Sequence, residues 1–252
     1  MPERARVILS RRECDGAFFD MDGVLTDSAR LHAAAWKRLF DDLLRRRAAA
    51  TGAFFVPFGK ADYLAHVDGR PRKDGVRCFL ASRGIHLPEG SASDPEEADT
   101  IAALARRKDR LFGLELRAGV DPAPGAEALL RKLRRLGIRT AVASSSRNCA
   151  AVLEAAGLAG LLDARVDGLD VAALGLEGKP APDLFLEAAR RLGVAPGRAV
   201  LFEDALAGVA AGRRGGFGQV VGVDRGGQAT ELLRHGADVV IRDLSQVEVA
   251  PC

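Results

Sequence analysis

Short apolar runs that end in polar clusters alternate with stretches of helical periodicity over much of this chain, and one long segment has the periodicity without the runs. The first run opens the stretch Ala17-Phe18-Phe19-Asp20-Met21-Asp22-Gly23-Val24-Leu25-Thr26-Asp27-Ser28. Three apolar residues lead into two acids one residue apart, then a glycine and a polar turn. A strand this apolar is expected to be buried. Residues two apart on a strand share a side, so the pleat would put the Asp20 and Asp22 carboxylates together at the strand's end. Two carboxylates there need a cation or strong donors. Magnesium is the candidate, since it takes oxygen ligands and is held through one or two carboxylates plus substrate phosphate. A polar turn closing a buried strand is the alternative for an isolated Asp-X-Asp.

Residues 31–47 are rich in helix formers, with Ala35, Leu39 and Leu43 at helical spacing. His32 and Trp36 fall one turn apart on one face, and Arg45-Arg46-Arg47 reads as a solvated face. Residues 51–59 are apolar and irregular and predict a loop; 62–67 predict a helical turn. Val67-Asp68-Gly69-Arg70-Pro71-Arg72 is a basic turn set by glycine and proline. Residues 73–82 carry Val76, Phe79 and Leu80 at helical spacing, and 85–92 are connector. Asp94-Pro95-Glu96-Glu97 predicts a helix start, with an acid at the N-cap, proline next and acids in the first turn. That helix would run through Ile101, Leu104 and Lys108 to about residue 112. No strand is expected between 31 and 113.

After Leu116 the pattern changes. Asp121-Pro122-Ala123-Pro124-Gly125 opens a helix carrying Leu129, Leu130, Leu133 and Leu136, followed by a strand at 139–143 that ends in Ser144-Ser145-Ser146-Arg147-Asn148. Helices at 149–156 and 182–192, a strand at 199–202 tipped by Glu203-Asp204, a helix at 205–211, and strands at 219–223 and 238–241 complete the reading. Alternating short strands and helices predict an α/β fold: a Rossmann-like parallel-sheet core, helices on both faces, with an inserted helical cap domain. The core would comprise residues 1–30 and 114–252 and the cap 31–113. Ligands of open parallel sheets bind beyond the strands' carboxyl ends, where three polar clusters are expected: Asp20/Asp22, Ser144 to Ser146, and Glu203/Asp204. A helical block leaving the first tip would sit over that edge as a lid.

Composition narrows the functional classes. The chain has 252 residues, 48% of them hydrophobic, enough for a sizeable core. Its net charge of +3 is mild and its arginines are scattered among acids, which disfavours a nucleic-acid binder. One Tyr and one Trp provide no stacking platform for single strands. Cys14, Cys78, Cys149 and Cys252 lie far apart with no CxxC spacing and read as free thiols in a reducing compartment. The run Val7-Ile8-Leu9 is too short for a signal segment, and no stretch is long enough to span a bilayer, so a cytoplasmic protein without membrane contact is expected. Oligomeric state leaves no trace in the sequence.

Each polar cluster has a plain structural reading. Ser144 could cap the following helix, Lys179 in Glu177-Gly178-Lys179-Pro180 could be an exposed loop lysine, and Glu203-Asp204 could be an N-cap pair. Together and in this order, Asp20-Met21-Asp22-Gly23-Val24-Leu25-Thr26-Asp27, Ser144, Lys179-Pro180 and Glu203-Asp204 resemble the four motifs of the haloacid dehalogenase superfamily of phosphoryl-transfer enzymes. The resemblance covers essentially the whole chain. It implies that Asp20 is a nucleophile forming an aspartyl phosphate and Asp22 a general acid and base. The dehalogenase branch lacks this second acid, so halide chemistry is disfavoured. It further implies that Mg2+ is held by Asp20, the Asp22 carbonyl and Asp204 with Glu203 close by, and that Ser144, the Ser145 backbone and Lys179 hold the transferring phosphoryl group.

The closer resemblance is to the β-phosphoglucomutase-like family. His32 and Trp36 match a cap-hinge pair of that family, Arg72 the cap arginine for a substrate's distal phosphate, and Lys108 a cap lysine facing the sugar. Ser146 and Asn148 match residues that also reach substrate. The alternatives are a core aromatic pair for His32 and Trp36 and surface charge for Arg72 and Lys108. Two departures stand out: residues 51–63 lengthen the cap, and Asp109 follows Lys108 where asparagine is usual. The resemblance implies a mutase interconverting β-glucose 1-phosphate and glucose 6-phosphate through a bisphosphate, with a small-molecule sugar phosphate as the partner. A phosphatase with the same core is the first rival. A non-catalytic module is the second, disfavoured because no motif residue is missing.

Overall fold

The computed structural model describes residues 6–67, 70 and 72–250. Asp68, Gly69 and Pro71 of the expected basic turn, and the Cys252 thiol, lie outside the described residues. In chain order the strands are β1 (Val7–Ser10), β2 (Gly16–Phe19), β3 (Arg139–Ala143), β4 (Ala164–Val166), β5 (Ala199–Glu203), β6 (Gln219–Val223), β7 (Val239–Ile241) and β8 (Val247–Ala250). The helices are α1 (Ala29–Thr51), α2 (Lys60–Asp62), α3 (Arg72–Ser82), α4 (Ile101–Arg117), α5 (Ala126–Arg135), α6 (Cys149–Ala155), α7 (Gly168–Leu174), α8 (Asp183–Leu192), α9 (Leu206–Arg214) and α10 (Ala229–Arg234). The chain divides into two units, one of Met1–Ser28 with Val120–Cys252 and the other of Ala29–Gly119.

In the first unit β2 lies inside a six-stranded, all-parallel sheet of order β4-β3-β2-β5-β6-β7. The chain builds outward from β2 through β3 and β4, then crosses back to build β5, β6 and β7 on the other side. A strand paired on both edges and covered on both faces has no solvent side, which is why Gly16-Ala17-Phe18-Phe19 is buried throughout. Phe18, in register with Ala141 and Leu201, packs with Leu184 and Phe185 of α8 and Val209 of α9, and meets the Phe217 ring edge-on at 5.2 Å. Phe19 points to the opposite face and stacks on Phe202 at 4.9 Å. Each ring removed from water stabilises the sheet by roughly 1.5–3 kcal/mol.

Several elements depart from the sequence expectation. Val7-Ile8-Leu9 is a strand: β1 pairs in parallel with β8 as a separate two-stranded sheet, so the strand at 239–241 is not the last. Three-residue β4 and the short α7 after it, whose N-cap Asp167 accepts from Leu169 and Asp170 amides, gave no periodic signal. Glu203 is the last residue of β5 rather than a residue beyond it, and all five residues of that strand are buried.

The second unit is helical, and no strand occurs among its described residues. Helix α1 extends beyond the predicted 31–47 at both ends and buries Leu31, Ala35, Trp36, Leu39, Phe40 and Leu43. The irregular segment after it is a plug. Phe58 is 2% exposed and sits between Phe40 and Phe79 at 5.2 and 5.0 Å. Its backbone is held at both ends: the buried carboxylate of Asp41 accepts the Phe58 amide at 2.8 Å, and Lys37, itself paired with Asp41 at 2.8 Å, donates to the Phe58 carbonyl at 3.0 Å. Arg45, expected only to be solvated, lays its guanidinium over the Phe55 ring at 4.8 Å.

No helix starts at Asp94. Residues 94–100 form turns, and α4 begins at Ile101 with Thr100 as N-cap, accepting from the Ala103 amide at 3.1 Å. The Asp94 carboxylate is engaged by the Ser91 and Thr100 hydroxyls at 2.9 and 2.7 Å instead of by a first helical turn. The Asp94 and Ala98 carbonyls, which a helix would bond to its own amides, accept from Arg106 and Arg107 side chains. No helix among the described residues is long and apolar enough to cross a membrane.

The two phenylalanines of this segment should separate cleanly in a urea-unfolding measurement. Phe58→Ala is expected to cost about 3–5 kcal/mol through the cavity it leaves. Phe54→Ala, at a side chain that is 98% exposed, should change stability by no more than about 0.5 kcal/mol.

Candidate active site

The exits of β3, β2 and β5 are neighbours at one sheet edge because those strands are adjacent and parallel. Pairing along β2 ends at Phe19, the Asp20 amide still donating to the Phe202 carbonyl at 3.0 Å. Beyond it the chain turns sharply, the Met21 carbonyl accepting from the amides of Leu25 and Thr26 at 3.0 Å each. Asp22 therefore belongs to a turn, while Asp20 stands where the strand ladder ends. Asp20 Oδ1 accepts from Lys179 Nζ at 2.5 Å. Asp22 Oδ1 accepts from the buried hydroxyl of Ser28, which lies 3.2 Å from Thr26 Oγ1. Gly23 takes φ 92°, and a Cβ there would overlap the Asp204 carboxylate, so the turn is tight against that acid.

Lys179 reaches in from the turn before α8, its Nζ 2.5 Å from Asp20 and 2.6 Å from Glu203 Oε2, and 4.7 Å from the Phe185 ring centre. Glu203 also accepts the Ala205 amide at 3.1 Å, and Gly208 leaves room for its carboxylate where any Cβ would overlap it. Asp20, Glu203 and Asp204 each offer an oxygen within 4.8 Å of the others. Burial first, and the neighbouring negative charges second, push the Asp204 carboxyl up. Burial also raises Glu203, with Lys179 pulling against it. Burial opposes the charge on Lys179, yet Asp20 and Glu203 hold its pKa above the ordinary lysine value. Three acids around one buried ammonium form a hard-oxygen donor set short of positive charge, which fits a divalent cation.

Ser144 continues the ladder of β3, its amide donating to the Val166 carbonyl at 3.0 Å. Its Oγ accepts from the Ser146 amide at 3.1 Å, and Ser146 Oγ from the Asn148 amide at 3.2 Å. Ser144 caps no helix, because α6 starts only at Cys149 with Asn148 as its N-cap. Ser145 stands exposed at the tip of this turn. Asp20, Asp22, Ser144, Ser145, Ser146, Asn148, Lys179, Glu203 and Asp204 thus belong to one sheet edge of the first unit.

Sequence reasoning missed a strap from β6. Arg225 pairs with Asp27 at 2.8 Å and Gln228 donates to the Asp204 carbonyl at 3.3 Å. The Asp224 carboxylate organises this strap by accepting the amides of residues 226 to 228 at 2.7–3.1 Å. Asp224-Arg225-Gly226-Gly227 looks like any turn, so no local signal exists. Ser28 could have been found, since it directly follows the acidic motif.

The second unit gathers the other candidates. The His32 ring stacks on Phe112 at 4.2 Å, and its Nδ1 lies 2.6 Å from the Nζ of buried Lys108. Lys108 Nζ is also 5.3 Å from the Trp36 and 4.8 Å from the Phe112 ring centre. Trp36 is buried and stacks on Phe40, so it is a core residue as well as a member of this cluster. Burial, then the charges of Lys108 and Arg72, press the His32 pKa down to about 3. His32 is therefore neutral at physiological pH and accepts from Lys108. Arg72 pairs with Asp109 at 2.7 Å.

Because the folded-state pKa of His32 lies below its ordinary 6.5, the unfolded chain binds the extra proton between those values, and stability falls as pH drops below about 6.5. Urea unfolding from pH 7 to 4 should show this His32 contribution as a loss of at most about 1.4 kcal/mol per pH unit. A His32→Gln variant should show a correspondingly flatter profile; identical slopes would contradict the assignment.

The profile of the haloacid dehalogenase-like hydrolase family matches residues 14–216. The chain is 48% identical over 249 residues to a β-phosphoglucomutase of Mycobacterium bovis, covering 97% of this chain and 95% of that protein. It is 33% identical to the validoxylamine A 7'-phosphate phosphatase of Streptomyces hygroscopicus subsp. limoneus, covering 92% and 94% of the two chains. Among solved structures, a β-phosphoglucomutase from Clostridium difficile superposes with a TM-score of 0.67 at 26% identity, covering 92% of each chain. With the acids, the lysine and the serine at one parallel-sheet edge and a profile match spanning most of its length, the chain belongs to the haloacid dehalogenase-like hydrolase family.

Proposed function

We propose that this enzyme is a phosphoryl-transfer mutase that interconverts β-D-glucose 1-phosphate and glucose 6-phosphate through an aspartyl phosphate and glucose 1,6-bisphosphate. The observation that carries the reading is the 48% identity to a β-phosphoglucomutase over 97% of the chain, helical unit included. The 33% likeness to a phosphatase keeps hydrolysis as the second reading.

In this mechanism a carboxylate oxygen of Asp20 attacks phosphorus as the bond from phosphorus to the sugar oxygen breaks, and Asp22 gives that oxygen a proton. In the reverse sense Asp22 takes the proton of the acceptor hydroxyl, which attacks the phosphorus held on Asp20. Ser28 orients the Asp22 carboxylate through its hydroxyl. Lys179, Ser144 and the Ser145 backbone hold the non-bridging phosphoryl oxygens, and Lys179 keeps Asp20 aligned. Positioning and charge neutralisation dominate such transfers. We assign Mg2+ to Asp20, Asp204, Glu203 and the Asp22 carbonyl, where it supplies positive charge to the phosphoryl oxygens when bound. Arg72 is the proposed ligand of a second, distal phosphate. Lys108, His32, Trp36, Ser146 and Asn148 would bind the sugar. Free Cys14, Cys78 and Cys149 support a reducing, cytoplasmic location.

The deciding assay supplies β-glucose 1-phosphate, Mg2+ and a trace of bisphosphate, with the α anomer as control. Glucose 6-phosphate without inorganic phosphate is expected, and stoichiometric inorganic phosphate would instead establish the phosphatase. Asp20→Asn should lower turnover by on the order of 10⁴ or more while retaining the wild-type circular dichroism spectrum. Arg72→Ala should raise the KM for the bisphosphate by about 10- to 100-fold, the loss of one charge-assisted contact. It should spare hydrolysis of p-nitrophenyl phosphate; equal losses on both would place Arg72 away from the distal phosphate.

A further inference from the structure

Arg72 is the first residue of α3, and its guanidinium is held by a carboxylate of the neighbouring helix. Asp109 Oδ1 lies 2.7 Å from Arg72 NH2, and the two side chains are 43% and 35% exposed. On α4 the next residue back, Lys108, is buried against His32, Trp36 and Phe112. Among the described residues the cluster therefore holds two cations, a neutral imidazole and one acid, and that acid sits on the cation best suited to a phosphate.

We propose that Asp109 is a specificity-determining residue whose carboxylate competes with substrate phosphate for the Arg72 guanidinium and so loosens the hold on a second phosphate. The proposal rests on the reading of Arg72 as the distal-phosphate ligand. An ion pair this exposed is weak and exchanges readily. A phosphate dianion makes stronger, bidentate contacts to a guanidinium and displaces the carboxylate. Once displaced, Asp109 remains beside the dianion and repels it, since like charges a few ångströms apart interact substantially near a protein surface. Asp109 thus acts both before binding, by occupying Arg72, and after it, by lowering the net charge of the cluster.

The chemistry gives this a use. A bisphosphate intermediate must release the end held distally and present it to Asp20. A grip built of Arg72 and Lys108 without a counter-charge would favour retention of one orientation. A monophosphate without a distal group gains nothing from Arg72 and is indifferent to Asp109.

The test compares the wild-type enzyme with Asp109→Asn, Asp109→Ser and Arg72→Ala/Asp109→Asn, using glucose 1,6-bisphosphate as phosphoryl donor with β-glucose 1-phosphate as the acceptor, and p-nitrophenyl phosphate as a single-phosphate probe. Both single variants should lower the bisphosphate KM by about five- to tenfold, exceeding any change on p-nitrophenyl phosphate by at least fivefold. The gain should vanish when Arg72 is absent. An unchanged or higher bisphosphate KM in variants with wild-type melting temperatures, or a gain that persists without Arg72, would overturn the proposal. Turnover can be followed as glucose 6-phosphate formed, and hydrolysis as inorganic phosphate released in equal amount. A hydrolytic product would therefore defeat the mutase reading while leaving the effect of Asp109 measurable.

Discussion

The Lys179 ammonium between Asp20 and Glu203 is the interaction on which the candidate active site depends. Carboxylates buried this deeply at adjacent strand ends would repel one another and resist ionisation. A single lysine lies within 2.6 Å of both, offsets their negative charge and holds them facing a common point. It arrives from 159 residues downstream of Asp20 and lies beside the Phe185 ring, so the pair joins parts of the chain that only the fold brings together. Asp204 remains beside this arrangement with its carboxyl pushed up by burial and by its neighbours' charge, which is the electrostatic demand a divalent cation meets.

Around that pair the backbone is arranged to let charged groups approach. Gly23 and Gly208 stand where a Cβ would overlap Asp204 and Glu203. The turn after β2 is fastened at its base by Ser28 and at its far end by the Asp27–Arg225 pair, while Gln228 holds the Asp204 carbonyl. These contacts come from three separate parts of the chain and confine the acidic turn without adding a competing charge at its centre.

The helical unit shows a related economy. Asp41 and Lys37, one turn apart, fasten Phe58 by its amide and carbonyl, which converts an irregular insertion into part of the aromatic core. The cluster of His32, Lys108, Arg72 and Asp109 sits in the same unit. Its histidine is kept neutral by burial and by two neighbouring cations, so among the described residues its charge balance is set by Arg72, Lys108 and Asp109.

Much of this was legible in the residues alone. Periodicity located β2, β3, β5 and β6 and the helices α1, α3, α5 and α8, because apolar spacing reports directly which side of an element is buried. The order of Asp20, Ser144, Lys179 and Glu203-Asp204 pointed to phosphoryl transfer through its resemblance to the four motifs of the haloacid dehalogenase superfamily. Where local signals were short or misleading the reading failed: β1, β4 and β8 are three or four residues long, and the capping pattern at Asp94 lost to side chains arriving from α4. Nor could spacing show that the chain turns out of the strand ladder between Asp20 and Asp22. The sequence by itself determined the element types and the inventory of reactive groups, since both follow from local composition. Only the tertiary structure decided that Lys179 joins Asp20 to Glu203, that Ser28 holds Asp22 and that Asp109 sits on Arg72, because each pairing joins groups whose meeting is set by backbone turns and helix packing.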